Sequence, residues 1–211
     1  MGISRKKKPP VVTPEVFPAG FFEKLARCAA SSANLAREIF NRPEDKERLC
    51  GELESMYKTA VEEIYKFREQ KPPRPHRSLY NDFLFPLAEQ FLTVIAALHS
   101  IGNRASLVYE NQGNKRIVFV NRAQKTLDIL RGAADKLSGL DKCILSLSGV
   151  IDWRDGLDKL RQDFIVEKAR RLRRAKGLMA IWLGELYREV KDDILDPLSE
   201  IGHLMNLYVR D

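Results

Sequence analysis

The chain has few cysteines, few histidines and no long uninterrupted apolar run, and each shortage argues against a class of function. Cys28, Cys50 and Cys143 stand far apart, with no C-x-x-C spacing among them. That argues against a disulfide framework or a cysteine zinc site and predicts reduced core thiols in a reducing compartment. His76, His99 and His203 are scattered, and none has a neighbour at metal-ligand spacing, so they read as surface or hydrogen-bonded core residues. No apolar stretch reaches the roughly 18 residues of a bilayer span. The basic N-terminus runs directly into Pro9 and Pro10 rather than into an apolar segment, which argues against a secretory leader. Residues 1–17 read as a flexible, basic, proline-rich tail. There is no G-x-S-x-G, no P-loop and no dinucleotide-binding glycine pattern. No nucleophile and base with a supporting third group can be picked out. The expectation is a soluble cytoplasmic protein that acts by binding and not by catalysis.

What is present is apolar material and charge in globular proportion. Hydrophobic residues make up 44% and charged residues 31% of 211 positions, enough to build a core without staples and too apolar for an intrinsically disordered chain. The formal charge is +7, unevenly placed. Arg5, Lys6, Lys7 and Lys8 lie in the tail, and Lys168, Arg170, Arg171, Arg173, Arg174 and Lys176 form a second run. Without these ten cations the remainder carries −3. The body is mildly acidic, and an anionic partner should be sought at the two positive segments.

Helical periodicity dominates. Phe22, Leu25, Ala29, Ala36 and Phe40 share one face of a helix over about 19–41. Leu49, Leu53, Met56, Ala60, Ile64 and Phe67 do so over about 43–70, which Pro72, Pro73 and Pro75 end. A third helix, about 77–111, buries Tyr80, Phe83, Leu87, Phe91, Leu98 and Ala105; Ser78 is a candidate cap, and Pro86 predicts a kink or a late start. The turn at 112–114 leads to a fourth helix, about 115–138, with a seam of Val120, Ala123, Leu127, Leu130, Ala134 and Leu137. The fifth, about 141–175, is read to bury Ile144, Leu147, Ile151, Leu157, Leu160 and Phe164. The sixth, about 178–209, is read to bury Leu178, Trp182, Leu186, Val190, Ile194, Leu198, Ile201 and Met205, with a second internal kink at Pro197. The run 117–120 is the one strand-like stretch, and a helical seam follows it. Each half ends in a helix with an internal proline, in Phe85-Pro86-Leu87 and in Asp196-Pro197-Leu198. The prediction is an all-α, elongated antiparallel six-helix bundle: one domain over 18–211, built from a repeat at about 18–111 and another at about 115–210.

Four segments carry a family likeness. Phe21-Phe22-Glu23-Lys24-Leu25 opens the first helix, and Leu53-Glu54 sits in the second. His76-Arg77-Ser78-Leu79-Tyr80 opens the third. Trp182, then Glu185-Leu186-Tyr187-Arg188-Glu189, opens the last. With the helix order, these resemble the PhoU-like phosphate-transport regulators, in the short branch found beside low-affinity inorganic phosphate transporters. The resemblance implies two three-helix repeats and Glu-x-x-x-Asp pairs that gather iron or zinc. Two carboxylates one helical turn apart present oxygen ligands on one face. Here Glu189 and Asp193 keep that spacing. Glu54 is followed four residues later by Lys58, and Asp158 is preceded four residues earlier by Arg154. A cation in a carboxylate's place repels a metal ion and pairs with the remaining acid. Glu54, Asp158, Glu189 and Asp193 are therefore candidate ligands of a degenerate iron or zinc site, and the expectation is that no multinuclear cluster assembles.

The run Lys168, Arg170, Arg171, Arg173, Arg174 and Lys176 is the candidate anion- or partner-binding patch, too dense to serve only as a solvated helix end. On a helical wheel Ala169 and Leu172 are left to face the bundle. The resemblance implies a regulatory adaptor of phosphate transport or phosphate signalling, docked on a membrane transporter or signalling protein and peripheral to the inner membrane face. An anionic membrane surface is a further partner for the basic run and for the tail. A carboxylate-cluster metal-binding bundle and a nucleic-acid-associated scaffold are the rival readings; without a recognised nucleic-acid motif, no specific nucleic acid is expected. Homodimerisation is compatible with an elongated bundle, and no sequence feature decides it.

Overall fold

The computed structural model describes residues 17–208 apart from 71, 73, 112–114, 141–146 and 174. At 43, 74, 106–111, 115–122, 124, 125, 127, 147, 171 and 208 it describes backbone without side-chain environment. The tail cations, Cys143, Ile144 and Arg174 therefore lie outside the described residues, as do the side chains of Val120, Leu127, Leu147 and Arg171.

Every regular element among the described residues is helical. α1 is Ala19–Asn41. It stops where Pro43 withdraws a backbone donor and imposes a short 3₁₀ turn, Pro43–Asp45, before α2, Lys46–Glu69. α2 ends as Gln70 turns extended, at ψ 118°, ahead of the proline-rich connection. α3 is a continuous rod of Arg77–Leu79, a π-helical segment Tyr80–Leu84 and Phe85–Asn111. α4 is Lys115–Ser138, and its backbone is helical through the strand-like run 117–120. α5 is Leu147–Leu172. α6 joins Leu178–Glu189, a π-helical segment Val190–Leu195 and Asp196–Tyr208.

The prolines inside α3 and α6 neither break these helices nor delay their start. In each, the residue before the proline reaches back five positions: Phe85 N–H donates to Tyr80 O, and Asp196 N–H donates to Lys191 O. A proline ring crowds the preceding turn and cannot donate; widening that turn by one residue admits the ring without ending the helix. Ser78 is not a cap. His76 holds that position, and the Ser78 hydroxyl donates to Asp82 inside the first turn at 2.7 Å.

Within residues 19–111 and within 115–208, consecutive helices pack on one another. Phe21 stacks on Phe67 and Cys28 reaches the Met56 carbonyl across α1/α2. Tyr57 stacks on His99 and Phe67 meets Phe85 across α2/α3. Trp153 Nε1 donates to Lys136 O at 2.9 Å across α4/α5. Phe164 meets Tyr187, and Arg161 bonds Asp196, across α5/α6. The two halves meet through α1 on α4 and through α3 on α6, while α2 packs on α1 and α3, and α5 on α4 and α6. This leaves α2 and α5 outermost, each packed on two helices, while α1, α3, α4 and α6 each pack on three. Arg77–Ala105 is long and apolar enough to cross a membrane, with mean hydropathy 1.4 in its best window. Half of that window is buried inside the bundle, with Phe83, Phe91, Ile95 and Leu98 fully enclosed in its core.

Two close approaches occur 100 residues apart. A Cβ on Gly102 would lie 2.4 Å from Leu53 Cδ2 and 3.0 Å from Ile39 Cδ1; one on Gly202 would lie 2.9 Å from Arg154 Cγ and 3.0 Å from the Trp153 ring. In each half, then, a glycine on the third helix lets the second helix come near. The two prolines are 111 residues apart and do not share this spacing.

The predicted stripes are buried in α1, and in α2 and α3 apart from half-buried Met56 and Tyr80. In α5 and α6 Leu160 and Trp182 are half-buried, and three positions face solvent. Ile151 is exposed because α5 turns Val150, Trp153 and Leu157 inward instead. Leu178 is 59% exposed. Ala169 faces solvent, and the buried position beside it is Glu167, whose carboxylate holds Arg170 at 3.1 Å.

Candidate functional site

The acids chosen for metal ligation do not converge. Glu54, on α2, is bonded by Lys58 at 3.1 Å and by His99 of α3 at 2.5 Å. The Lys58 ammonium, seconded by the His99 ring, holds its carboxyl below the usual carboxylate range. Asp158 lies on α5 in a shallow depression with Arg154, Arg161, Asp196 and His203. Glu189 and Asp193 share a third location between α3 and α6. Among the described residues, no group of three or more potential ligands is placed to hold a metal ion.

Glu189 is the unusual member. Its side chain is 5% exposed, inside a helix whose other buried positions are apolar apart from Tyr187. Ser100 Oγ donates to its carboxylate at 3.1 Å and Arg104 Nη1 at 3.0 Å. Burial raises its pKa above the ordinary carboxyl value, and Arg104 and Ser100 draw it part of the way back. Arg104 lies between two depressions. On one side is an apolar pocket of about 200 Å³ lined by Phe40, Ile101, Trp182 and Leu186. On the other is an open cleft of about 630 Å³ reaching Tyr57, Thr93, Arg188 and Asp193. Trp182 is half-buried and walls the first. The charges of this face answer one another: Arg68 with Glu89, Arg104 with Glu189, Arg188 with Glu185 and Asp193, Lys191 with Asp192 and Asp196. A groove so balanced has little net attraction for a metal ion or an anion.

The basic run behaves differently. α5 ends at Leu172, and α6 begins after Gly177, whose φ of 59° and ψ of −144° only glycine adopts without strain. Arg173 and Lys176 project from this turn into solvent, and neither pairs with an acid among the described residues. Lys168 is half-buried near the α6 acid Asp192, whose carboxyl is held below its ordinary value mainly by the Lys191 ammonium and more weakly by Arg188 and Lys168. Four large aliphatic side chains stand in the same stretch: Ile165 and Val166 on α5, and Leu178 and Ile181 on the first turn of α6. The sequence reading missed this apolar component because it assigned Leu178 to the core and did not consider Ile165, Val166 or Ile181.

The thiols are packed. Cys28 is half-buried, bonds the Met56 carbonyl at 3.2 Å, and is pushed by burial to a pKa of about 11; burial also raises Cys50. In comparisons with protein-family models, with curated proteins and with solved structures, nothing matches the chain.

Proposed function

We propose that this bundle is a non-catalytic adaptor of phosphate transport or phosphate signalling, of the PhoU-like kind, which docks on a membrane transporter or signalling partner. The observation that carries the binding reading is the turn between α5 and α6, where Arg173 and Lys176 pair with no acid among the described residues and Leu178 and Ile181 face solvent, a combination that would hold the bundle at the membrane face where a transporter sits. The helix layout supports the family reading. Each half contributes three helices, the halves meet through their first and third helices, and the glycine contacts at Gly102 and Gly202 recur at a spacing of 100 residues, as a duplicated unit would place them.

Co-purification of the tagged chain with a phosphate permease, and altered phosphate uptake in a deletion strain, are the expected results. Unchanged uptake and unchanged phosphate-responsive signalling in that strain would remove the proposal. Elemental analysis of the purified protein tests the carboxylate-metal rival, which requires stoichiometric iron or zinc.

A further inference from the structure

We propose that the α5–α6 turn is a docking site for an anionic lipid bilayer, with Leu178 and Ile181 entering between headgroups and Arg173 and Lys176 pairing with lipid phosphates. Single exposed apolar residues are ordinary; clusters are not. Seven large hydrophobic side chains are solvent-facing among the described residues, and four of them flank the basic run in sequence, Ile165 and Val166 before it and Leu178 and Ile181 after it. Leu178 and Ile181 are 59% and 60% exposed and three residues apart, so they share one face of α6.

The chemistry selects the occupant. A bilayer interface offers hydrocarbon within a few ångströms of phosphate, and a surface that interleaves aliphatic and cationic groups meets both at once. Long lysine and arginine stems keep their charges at headgroup level while neighbouring apolar groups go deeper. A nucleic-acid backbone supplies phosphates but no place for Leu178 and Ile181. A protein partner's buried core would be depleted of charge, whereas here the cations stand among the apolar residues. The location also fits: the turn is at an extremity of two helices, backed by a conformation that Gly177 fixes. This inference does not depend on the phosphate reading, since the turn would bind lipid whatever protein the bundle serves.

The test is sedimentation of the full chain with extruded vesicles of phosphatidylcholine alone and of phosphatidylcholine with about a third phosphatidylglycerol, at low and at physiological salt. Binding to the anionic vesicles, weakened by salt and absent from the neutral ones, is expected. Arg173→Gln with Lys176→Gln should weaken partitioning roughly thirtyfold, from two lost lipid contacts. Leu178→Asn with Ile181→Asn should weaken it at least about tenfold. Tyr65→Ser, which removes a side chain of equal exposure on α2, should change nothing. All of these positions face solvent, and circular dichroism of each variant checks that it stays helical. Equal binding to neutral vesicles, no binding to anionic ones, or full binding by the asparagine variant would each overturn the proposal. So would a concentration-dependent dimer, lost in the asparagine variant, in a protein that ignores vesicles; the occupant would then be a second copy. Vesicle binding without permease co-purification would sink the proposed function and leave this inference standing.

Discussion

Replacing Arg104 with methionine should destabilise the bundle by an amount that grows with pH. The change keeps the aliphatic stem against Ile101 and Ala105 and removes the cation 3.0 Å from Glu189. Glu189 is 5% exposed and retains the Ser100 hydroxyl, at 3.1 Å, and the weaker attraction of Arg188. Breaking a fully buried ion pair costs about 3–5 kcal/mol. Arg104 is half exposed, so water screens the pair, and about 1–2 kcal/mol is the reasonable expectation at neutral pH. The sign follows from the direction of the shift. An acid whose folded pKa lies above its unfolded value binds its proton more tightly when folded. Its contribution therefore favours folding below the unfolded pKa and is lost as pH rises through the folded one. Arg104 draws the Glu189 pKa down; without it the value climbs further. The added cost is then small near pH 4.5, the ordinary carboxyl value, and rises above it by at most about 1.4 kcal/mol per pH unit.

Urea unfolding followed by circular dichroism, near pH 4.5 and about three units higher, measures this directly. Glu189→Gln keeps an acceptor for Ser100 and abolishes the ionisation, so adding it to Arg104→Met should return most of the lost stability at the higher pH. Equal destabilisation at both pH values, or no rescue by glutamine, would show that Glu189 does not ionise against Arg104, and the electrostatic account of this cleft would fall.

Four further outcomes are expected. Gly51→Ala on α2, where a Cβ meets nothing within 4 Å, should stabilise by about 0.5–1 kcal/mol in urea titration. Gly102→Ala should destabilise by about 1–2 kcal/mol despite the same propensity gain, because its Cβ would strike the fully buried Leu53 at 2.4 Å; similar stability of the two variants would refute the close packing. Gly177→Ala, also free of any contact, should still cost about 1–2 kcal/mol by backbone strain alone, read as a lowered melting temperature. Cys28, raised to about 11 by burial, should alkylate at pH 8 roughly a hundredfold more slowly than free cysteine, as peptide mass mapping would register.

The helix boundaries were legible because this chain punctuates itself. Pro43, the prolines after Gln70, and Gly177 end or start elements for reasons local to the backbone. The π-helical turns were not legible, since a proline inside an apolar pattern reads equally as a kink, a late start or a widened turn; burial of the flanking Phe83, Leu84, Ile194 and Leu195 decides for continuity. The outward positions of Ile151 and Leu178 escaped the reading because α5 carries apolar residues around much of its circumference, and because Leu178 is the first residue after the Gly177 turn. Glu189 was singled out by its spacing to Asp193. Its actual partners, Ser100 and Arg104, lie on α3, more than eighty residues away in sequence, where no local pattern could indicate them.

The charge distribution gives the misread residues their weight. The body's acids are largely engaged with its cations along α2, α3 and α6, and paired charges project little field beyond a Debye length of about 8 Å. The sequence excess of +7 must then be expressed where cations lack acids, and among the described residues Arg173 and Lys176 are such a place. Had Leu178 been buried as the first core residue of α6, that end would be an ordinary solvated helix turn, attractive to any polyanion and selective for none. Its exposure beside Ile181 changes the kind of recognition the turn can perform. Cations alone attract; cations framed by aliphatic side chains discriminate, because only a partner with an apolar phase beneath its anions rewards both. On the lipid-docking proposal, the selectivity of this bundle accordingly rests on a side chain that periodicity placed in its interior.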